Sequence, residues 1–434
     1  MTILNARVAG EIEIPMDQLE AMPAVLKAIK EELEFLNEDK QKLLDEKVWS
    51  AREMPDTIDM WQETYRRGGA RLMLLPRGFA STLIAGCASM GVTVQIEDNR
   101  SLAPASPGYY RPFVMRDYQF LAATKLIQQQ QGMYKSPAGS GKTVTMLGAV
   151  AHLGQRALII VDKESLLEQW RTRAATFYGF DFTEKVDKGT GKVTRVAKLT
   201  KGGDTKLREV GKIGQGVFEE RDLTIALRQS LFSKDSELEP LKWYREWGVT
   251  IFDEAHHLSA DTMQDVCRHM TSFYLWGTSA TPAKSDTRGK IVYSLVGPIV
   301  HETPRQILRE RGILMTPKVR VVRTDFEAQF WPTHDFIPSK PGEEDHPRQC
   351  VVPDCDKSHK GHQHRNNWSS VLKKLVEDKK RNADIAAFIT MLPEEIHLIP
   401  TSQKKHIDLI TKALKKAGYP GKIHVLTGEE NAKG

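Results

Sequence analysis

Four short apolar runs, ALIIVD (157–162), LTIAL (223–227), VTIFDEA (249–255) and FYLWGTSA (273–280), constrain the fold most. Each is nearly continuous in aliphatic and aromatic residues instead of alternating, and helical stretches separate them. Strands that are hydrophobic on both faces belong to a parallel sheet covered by helices on each side. From Arg111 onward the chain therefore reads as α/β, with a parallel-sheet lobe at its centre.

Upstream of the first run, residues 136–143 read SPAGSGKT. Small residues that end in Gly-Lys-Thr at a helix start are shaped for phosphate. Gly139, Ser140 and Gly141 let backbone N–H groups face phosphate oxygens, Lys142 reaches the β- and γ-phosphates, and the Thr143 hydroxyl ligates Mg²⁺. Ser136 stands where the pattern usually has Gly. Further on, VTIFDEA delivers Asp253 and Glu254 to the carboxyl end of a buried strand, the place for a second Mg²⁺ contact and for a carboxylate that orients or deprotonates water. Taken singly, the loop is also readable as an ordinary Gly-Ser turn and the carboxylates as a surface acidic turn. Their order, followed by GTSATP (277–282), decides for a nucleotide site.

In this order and spacing SPAGSGKT, DEAH (253–256) and SAT (279–281) resemble the first motor lobe of a superfamily 2 helicase or translocase. FVMRDYQF (113–120) resembles the adenine-reading segment, with Arg116 and Gln119 at matching positions. IIVDKESLLEQW (159–170) is similar to motif Ia, and LTIALRQSL (223–231) to the nucleic-acid-contacting strand and loop after it. VGPIVHETPRQILRERGILMTPKVRVV (296–322) resembles the XPB, UvsW and RadD-like branch, whose members act on duplex or branched DNA. The resemblance covers residues 111–330 well and 367–434 more loosely. It implies RecA-like lobes, ATP and Mg²⁺ as cofactors, and Lys142, Asp253 and Glu254 as catalytic residues. It also implies Thr143 and Asp253 as the metal's ligands, and His256, Ser279 and Thr281 as the link between nucleotide state and grip on DNA. The implied activity is that of an ATP-dependent DNA helicase or translocase in repair, recombination or phage-type replication. A motor subunit of a restriction or defence system stays open, as does an ATP-switched DNA-binding module that does not unwind.

Three domains are expected: an N-terminal accessory α/β domain (1–105), the ATP-binding RecA-like lobe 1 (106–300), and the start of RecA-like lobe 2 (301–434) with a Cys/His-rich insertion (331–366). MPAVLKAIKEELEFL (22–36) places Met22, Val25, Leu26, Ile29, Leu33 and Leu36 at helical spacing. GFASTLIAGCASMGVTVQI (78–96), uncharged for 19 residues, is broken by three glycines and reads as helix, turn and strand, not as a membrane span. SLAPASPG (101–108) reads as a linker and 181–207 as an exposed hairpin. Beyond 366, a helix (367–391), a strand EIHLIPTS (395–402), a helix to Gly418 and a strand KIHVLTG (422–428) are expected. No QxxGRxxR string, in which the family carries its second-lobe arginine, occurs. The chain thus reads as stopping before that arginine, with weak hydrolysis on its own.

Residues 1–110 hold 12 Lys/Arg against 17 Asp/Glu and the remainder 50 against 39, an acidic front before a basic body that suits DNA as a polyanion partner. Five of the 13 histidines fall between 334 and 364. There Cys350, Cys355, His359 and His364 are either donors of a structural Zn²⁺ or incidental members of a polar insertion. Four cysteines are too few for a disulfide scaffold, and no apolar leader opens the chain, so a cytoplasmic protein is expected. Trp170, Trp243, Trp247 and Trp368 read as base-stacking platforms or as core.

Overall fold

The structure, a computed structural model, describes residues 2–45, 49–66, 68–178, 182–186, 193–197, 210–231, 243–281, 286–315, 324, 368–392 and 396–425. The chain divides into two compact units, Met1–Thr316 and Pro317–Gly434.

The first unit opens with β1 (Thr2–Val8), β2 (Glu11–Pro15), α1 (Met16–Glu20), α2 (Pro23–Leu33), β3 (Glu34–Leu36), α3 (Glu38–Asp45), β4 (Thr57–Asp59), β5 (Gln62–Tyr65), β6 (Arg71–Pro76), α4 (Ala80–Ser89) and β7 (Val92–Asp98). Its main sheet has the order β5-β6-β2-β1-β7, antiparallel except for the parallel β1–β7 pair. Leu4, Ala6, Val8, Ile12 and Ile14 alternate onto one face and bury with Val25, Ile29 and Leu33 of α2 and Leu83 and Cys87 of α4. Helix α2 ends earlier than its periodicity predicts: Glu34 turns extended, and Glu34–Leu36 pairs with β4. Stretch 78–96 contains the expected helix, a turn at Gly91 (φ +72°) and a strand. No described helix is long and apolar enough to cross a membrane.

The rest of this unit carries α5 (Asp117–Gln129), β8 (Gln131–Lys135), α6 (Lys142–Leu153), β9 (Ala157–Val161), α7 (Glu164–Phe177), β10 (Phe182–Val186), β11 (Val193–Ala197), β12 (Gly211–Gly214), β13 (Val217–Glu219), β14 (Leu223–Leu227), β15 (Val249–Asp253), β16 (Tyr274–Ser279) and β17 (Ile299–Glu302). Strands β10 and β11 pair as the expected antiparallel hairpin. The eight-stranded sheet runs β13-β12-β14-β9-β15-β16-β8-β17, parallel throughout except at β12–β13. The four apolar runs form its centre. Leu158 and Ile160 of β9 bury on one face and Ala157, Ile159 and Val161 on the other, the double burial that their unbroken hydrophobicity requires. This is the RecA-like parallel-sheet lobe expected behind a small α/β domain.

The N-terminal sheet is fastened to this lobe by buried polar contacts. Arg77, 1% exposed, donates to Gln131 Oε1 (2.8 Å), the Ser272 carbonyl (2.6 Å) and the Phe273 carbonyl (2.9 Å). Burial pulls its pKa down to about 9, which leaves the guanidinium charged at neutral pH. Arg268 reaches the Glu11 carboxylate and donates to the Met60 carbonyl (2.8 Å). SLAPASPG is a strap and not the loose linker its composition predicts: Ala103 N donates to Gln155 Oε1 (2.8 Å), Ser106 N to Asp222 Oδ2 (2.7 Å), and Arg156 N to the Ala103 carbonyl (2.6 Å).

In the second unit the described residues form helices Trp368–Glu377, Lys379–Thr390 and Lys404–Lys416. The single helix expected over 367–391 is two, because Asp378 accepts from Arg381 N (2.7 Å) and caps the second. Ala386, Ile389, Ile410 and Leu414 make the core, with Ile399 and Ile423 packed on it. Residues 396–402 and 422–425 are not strands. Ile396 and Leu398 stay exposed while Ile399 packs inward, yet a strand needs a partner for its hydrogen bonds and no described residue pairs with them. Apart from Thr324, residues 316–367, which include the expected insertion at 331–366, lie outside the described residues.

Candidate functional site

Strands β15, β16 and β8 are neighbours, parallel and in that order, so their carboxyl ends share one sheet edge. Strand β8 feeds the loop 136–141 into the start of α6. Gly139 (φ +81°) and Gly141 (φ +88°) adopt left-handed backbone, and a Cβ at Gly141 would lie 2.4 Å from Gln119 Nε2. Ser136, in the place of the usual glycine, is fully buried. Its Oγ donates to Ser140 Oγ (2.7 Å) and its N–H to the Ser279 carbonyl (3.1 Å), which ties the base of the loop to β16.

Helix α5 backs the loop. Arg116 N donates to Gln119 Oε1 (3.0 Å), the buried Gln119 donates through Nε2 to the Ser140 carbonyl (3.3 Å), and the Tyr118 hydroxyl donates to the same carbonyl (2.7 Å). Tyr118 is a site residue that the motif comparison alone does not point to. The signal available was its place inside the RDYQ stretch.

Across the edge, Lys142 Nζ stands 3.5 Å from Glu254 Oε1, in a half-sheltered ion pair. Asp253 Oδ1 accepts from Thr278 Oγ1 (2.8 Å) and from Glu254 N (3.1 Å), while its Oδ2 accepts from Trp170 Nε1 (2.7 Å). Glu254 sits at φ +49°, ψ +52°, a conformation that costs a side-chain-bearing residue roughly 1–2 kcal/mol. Glu254 Oε2 lies 3.3 Å from His256 Nδ1 and 3.5 Å from Ser279 Oγ; His256 Nδ1 and Ser279 Oγ are 3.2 Å apart, and Thr281 N donates to Ser279 Oγ (3.2 Å). Burial, reinforced by His257, pushes the His256 pKa below its usual value, so the ring is neutral at pH 7. His257 faces Asp162 instead (3.9 Å), and Asp162 pairs with Arg228 (2.9 Å).

The structure thus gathers Gly139, Ser140, Gly141, Lys142, Thr143, Asp253, Glu254, His256, Ser279 and Thr281 at one edge, with Arg116 and Gln119 behind the loop. Thr143 and Asp253 offer hydroxyl and carboxylate oxygens, the donor types of a Mg²⁺ that completes its shell with phosphate and water. Among the described residues no group of three or more His, Cys, Asp or Glu is arranged to hold a metal on its own. Cys350, Cys355, His359 and His364 lie outside the described residues. Trp170, Trp243 and Trp247 are buried, which rules out base stacking by them, and the side chain of Trp368 lies outside the described residues.

Residues 112–284 match the family model described as Type III restriction enzyme, res subunit. The chain is 26% identical over 208 residues to the DNA 3'-5' translocase XPB2 of Sulfurisphaera tokodaii, covering 48% of this chain and 40% of that protein. It is 28% identical over 225 residues to the DNA 3'-5' helicase XPB of Mycobacterium tuberculosis, covering 50% and 36% respectively. The matched stretch therefore spans less than half of either relative. Among solved structures, the UvsW helicase from bacteriophage T4 aligns with a TM-score of 0.46 at 13% identity, covering 70% of this chain and 100% of that one.

Proposed function

We propose, from the premise that residues 112–284 are a superfamily 2 helicase lobe of the XPB/UvsW-like branch, that this chain is an ATP-dependent DNA helicase or translocase. The observation that carries the reading is the meeting at one sheet edge of Lys142, Thr143, Asp253 and Glu254 with a glycine loop that opens a helix. Bound ATP with Mg²⁺ supplies the phosphoryl group and its charge neutralisation. The loop amides and Lys142 hold phosphate oxygens, and Thr143 with Asp253 holds the ion. Lys142 exchanges Glu254 for phosphate, which frees the Glu254 carboxylate to orient a water and take its proton. Arg116 and Gln119 stand behind the loop to read the adenine. Neutral His256 and Ser279 share Glu254 Oε2, so movement of that carboxylate is felt at Thr281 beyond the end of β16. The basic balance beyond residue 110 supports DNA as the polyanion, with duplex or branched DNA favoured by the branch. The buried free thiols of Cys87 and Cys267 suit a reducing cytoplasm.

The test is ATP hydrolysis by the full chain, with and without duplex or forked DNA, beside Lys142→Ala. DNA-stimulated turnover that the substitution abolishes supports the reading, and turnover that survives it refutes the site. Nucleotide binding that Lys142→Ala abolishes, with weak or no turnover, supports the site and fits both the weak hydrolysis expected without the second-lobe arginine and an ATP-switched binding module. A second reading, the motor subunit of a restriction system, is favoured by the res-subunit match, and co-purification with a nuclease separates it. A structural Zn²⁺ at Cys350, Cys355, His359 and His364 is supported by donor type alone. One zinc per chain, lost in Cys350→Ser, bears it out, and a folded zinc-free chain retires it.

A further inference from the structure

Trp170 is 1% exposed, at home in the core that α7 shares with β9 and β14, yet its indole N–H ends on a carboxylate. An indole has one donor and no acceptor, and a buried donor must find a partner. Here the partner is Asp253 Oδ2 at 2.7 Å, a charge-assisted bond. An ionised carboxylate has about four acceptor sites. Thr278 Oγ1 and Glu254 N occupy two on Oδ1, and Trp170 occupies one on Oδ2. One lone pair remains, on Oδ2, and the two side-chain donors on opposite oxygens stop the group from rotating about its Cβ–Cγ bond.

We propose that Trp170 is a positioning residue that fixes the Asp253 carboxylate so that its remaining lone pair faces the metal site. This rests on the reading of Asp253 as a metal-holding residue given above. It assigns the tryptophan a polar task that neither base stacking nor core packing describes. Because Trp170 rides on α7, the helix that continues the segment similar to motif Ia, it also makes metal affinity depend on where that helix lies.

The test measures the Mg²⁺ concentration that half-saturates binding of a fluorescent, non-hydrolysable ATP analogue to the full chain. Trp170→Phe keeps an aromatic ring in the core and deletes the donor. Loss of a residue that orients a metal ligand typically weakens the metal by about 10–100-fold, and a rise of about tenfold or more in half-saturating Mg²⁺ is expected, with nucleotide binding in EDTA unchanged. Leu167→Ala, which thins the same core, is expected to leave the Mg²⁺ requirement alone. If Trp170→Phe does not fold, benzothienylalanine installed at position 170 keeps the two-ring shape and replaces the N–H with sulfur. An unchanged Mg²⁺ requirement in a folded donor-less variant, or an equal shift in Leu167→Ala, overturns the proposal. A wild-type chain that binds no nucleotide overturns the reading of the site as well, whereas Mg²⁺-dependent binding that the variant leaves untouched overturns the proposal alone.

Discussion

The same substitution at two glycines eight residues apart in sequence has opposite expected outcomes. A Cβ at Gly78 would lie 2.4 Å from Gly297 N, 2.6 Å from the Ser294 carbonyl and 2.6 Å from the Tyr293 carbonyl. All three are backbone atoms, so no flexible side-chain end can swing aside, and an ordinary contact requires the N-terminal sheet and helix 287–296 to separate by the better part of an ångström. Overpacking of this kind costs about 1–3 kcal/mol, and three backbone partners place Gly78→Ala near the top of that range. Gly86 lies inside α4 with nothing within 4 Å of its Cβ position, so Gly86→Ala gains helix propensity and stabilises by about 0.5–1 kcal/mol. Denaturant unfolding of the full chain, with hydrogen exchange resolving the segment before residue 100, measures both. Two shifts of the same sign, or a Gly78→Ala loss below about 0.5 kcal/mol, would refute the view that the accessory sheet is locked to the motor lobe.

Arg77→Met should lower stability by about 2–4 kcal/mol, because the Ser272 and Phe273 carbonyls and Gln131 lose their donor while relief from burying a charge offsets part of the loss; denaturant midpoints read it. Asp378→Ala should cost about 1 kcal/mol by uncapping the second helix of the C-terminal unit, seen as faster amide exchange over 379–390. Burial lowers the pKa of His256, His301 and His406. These rings stay neutral in the fold while the unfolded chain protonates near pH 6.5, so their contribution is present above that pH and lost as pH falls through the folded values. Unfolding midpoints should therefore drop from pH 7 to pH 5 with a slope that the combined His256→Gln, His301→Gln and His406→Gln variant flattens; an equal slope in both proteins refutes the assignment.

The site was legible because its parts are local. SPAGSGKT and FDEAHH each carry backbone requirement and chemistry within a few residues, and the unbroken apolar runs give the parallel sheet. What joins distant parts was not legible. The β1–β7 pairing brings residue 2 against residue 92, and nothing in either strand names the other. Pro, Ala and Ser in 101–108 gave the composition of a linker, while the side chains that strap it down, Gln155 and Asp222, lie far along the chain. Hydrophobicity describes the rings of Trp170 and says nothing of where its single N–H ends. The paired helices at 368–390 could have been separated by reading Asp378 as a cap, a signal overridden by the apolar spacing on either side.

Glu254, left-handed at φ +49°, has a consequence for anyone who evolves this protein in the laboratory. Glycine at that position would relax the turn, so a library screened for heat resistance alone is pulled toward discarding the carboxylate. Turnover pulls the other way. Selection that alternates between the two demands should leave position 254 unchanged and collect its gains elsewhere, at sites such as Gly86 where nothing is asked of the backbone.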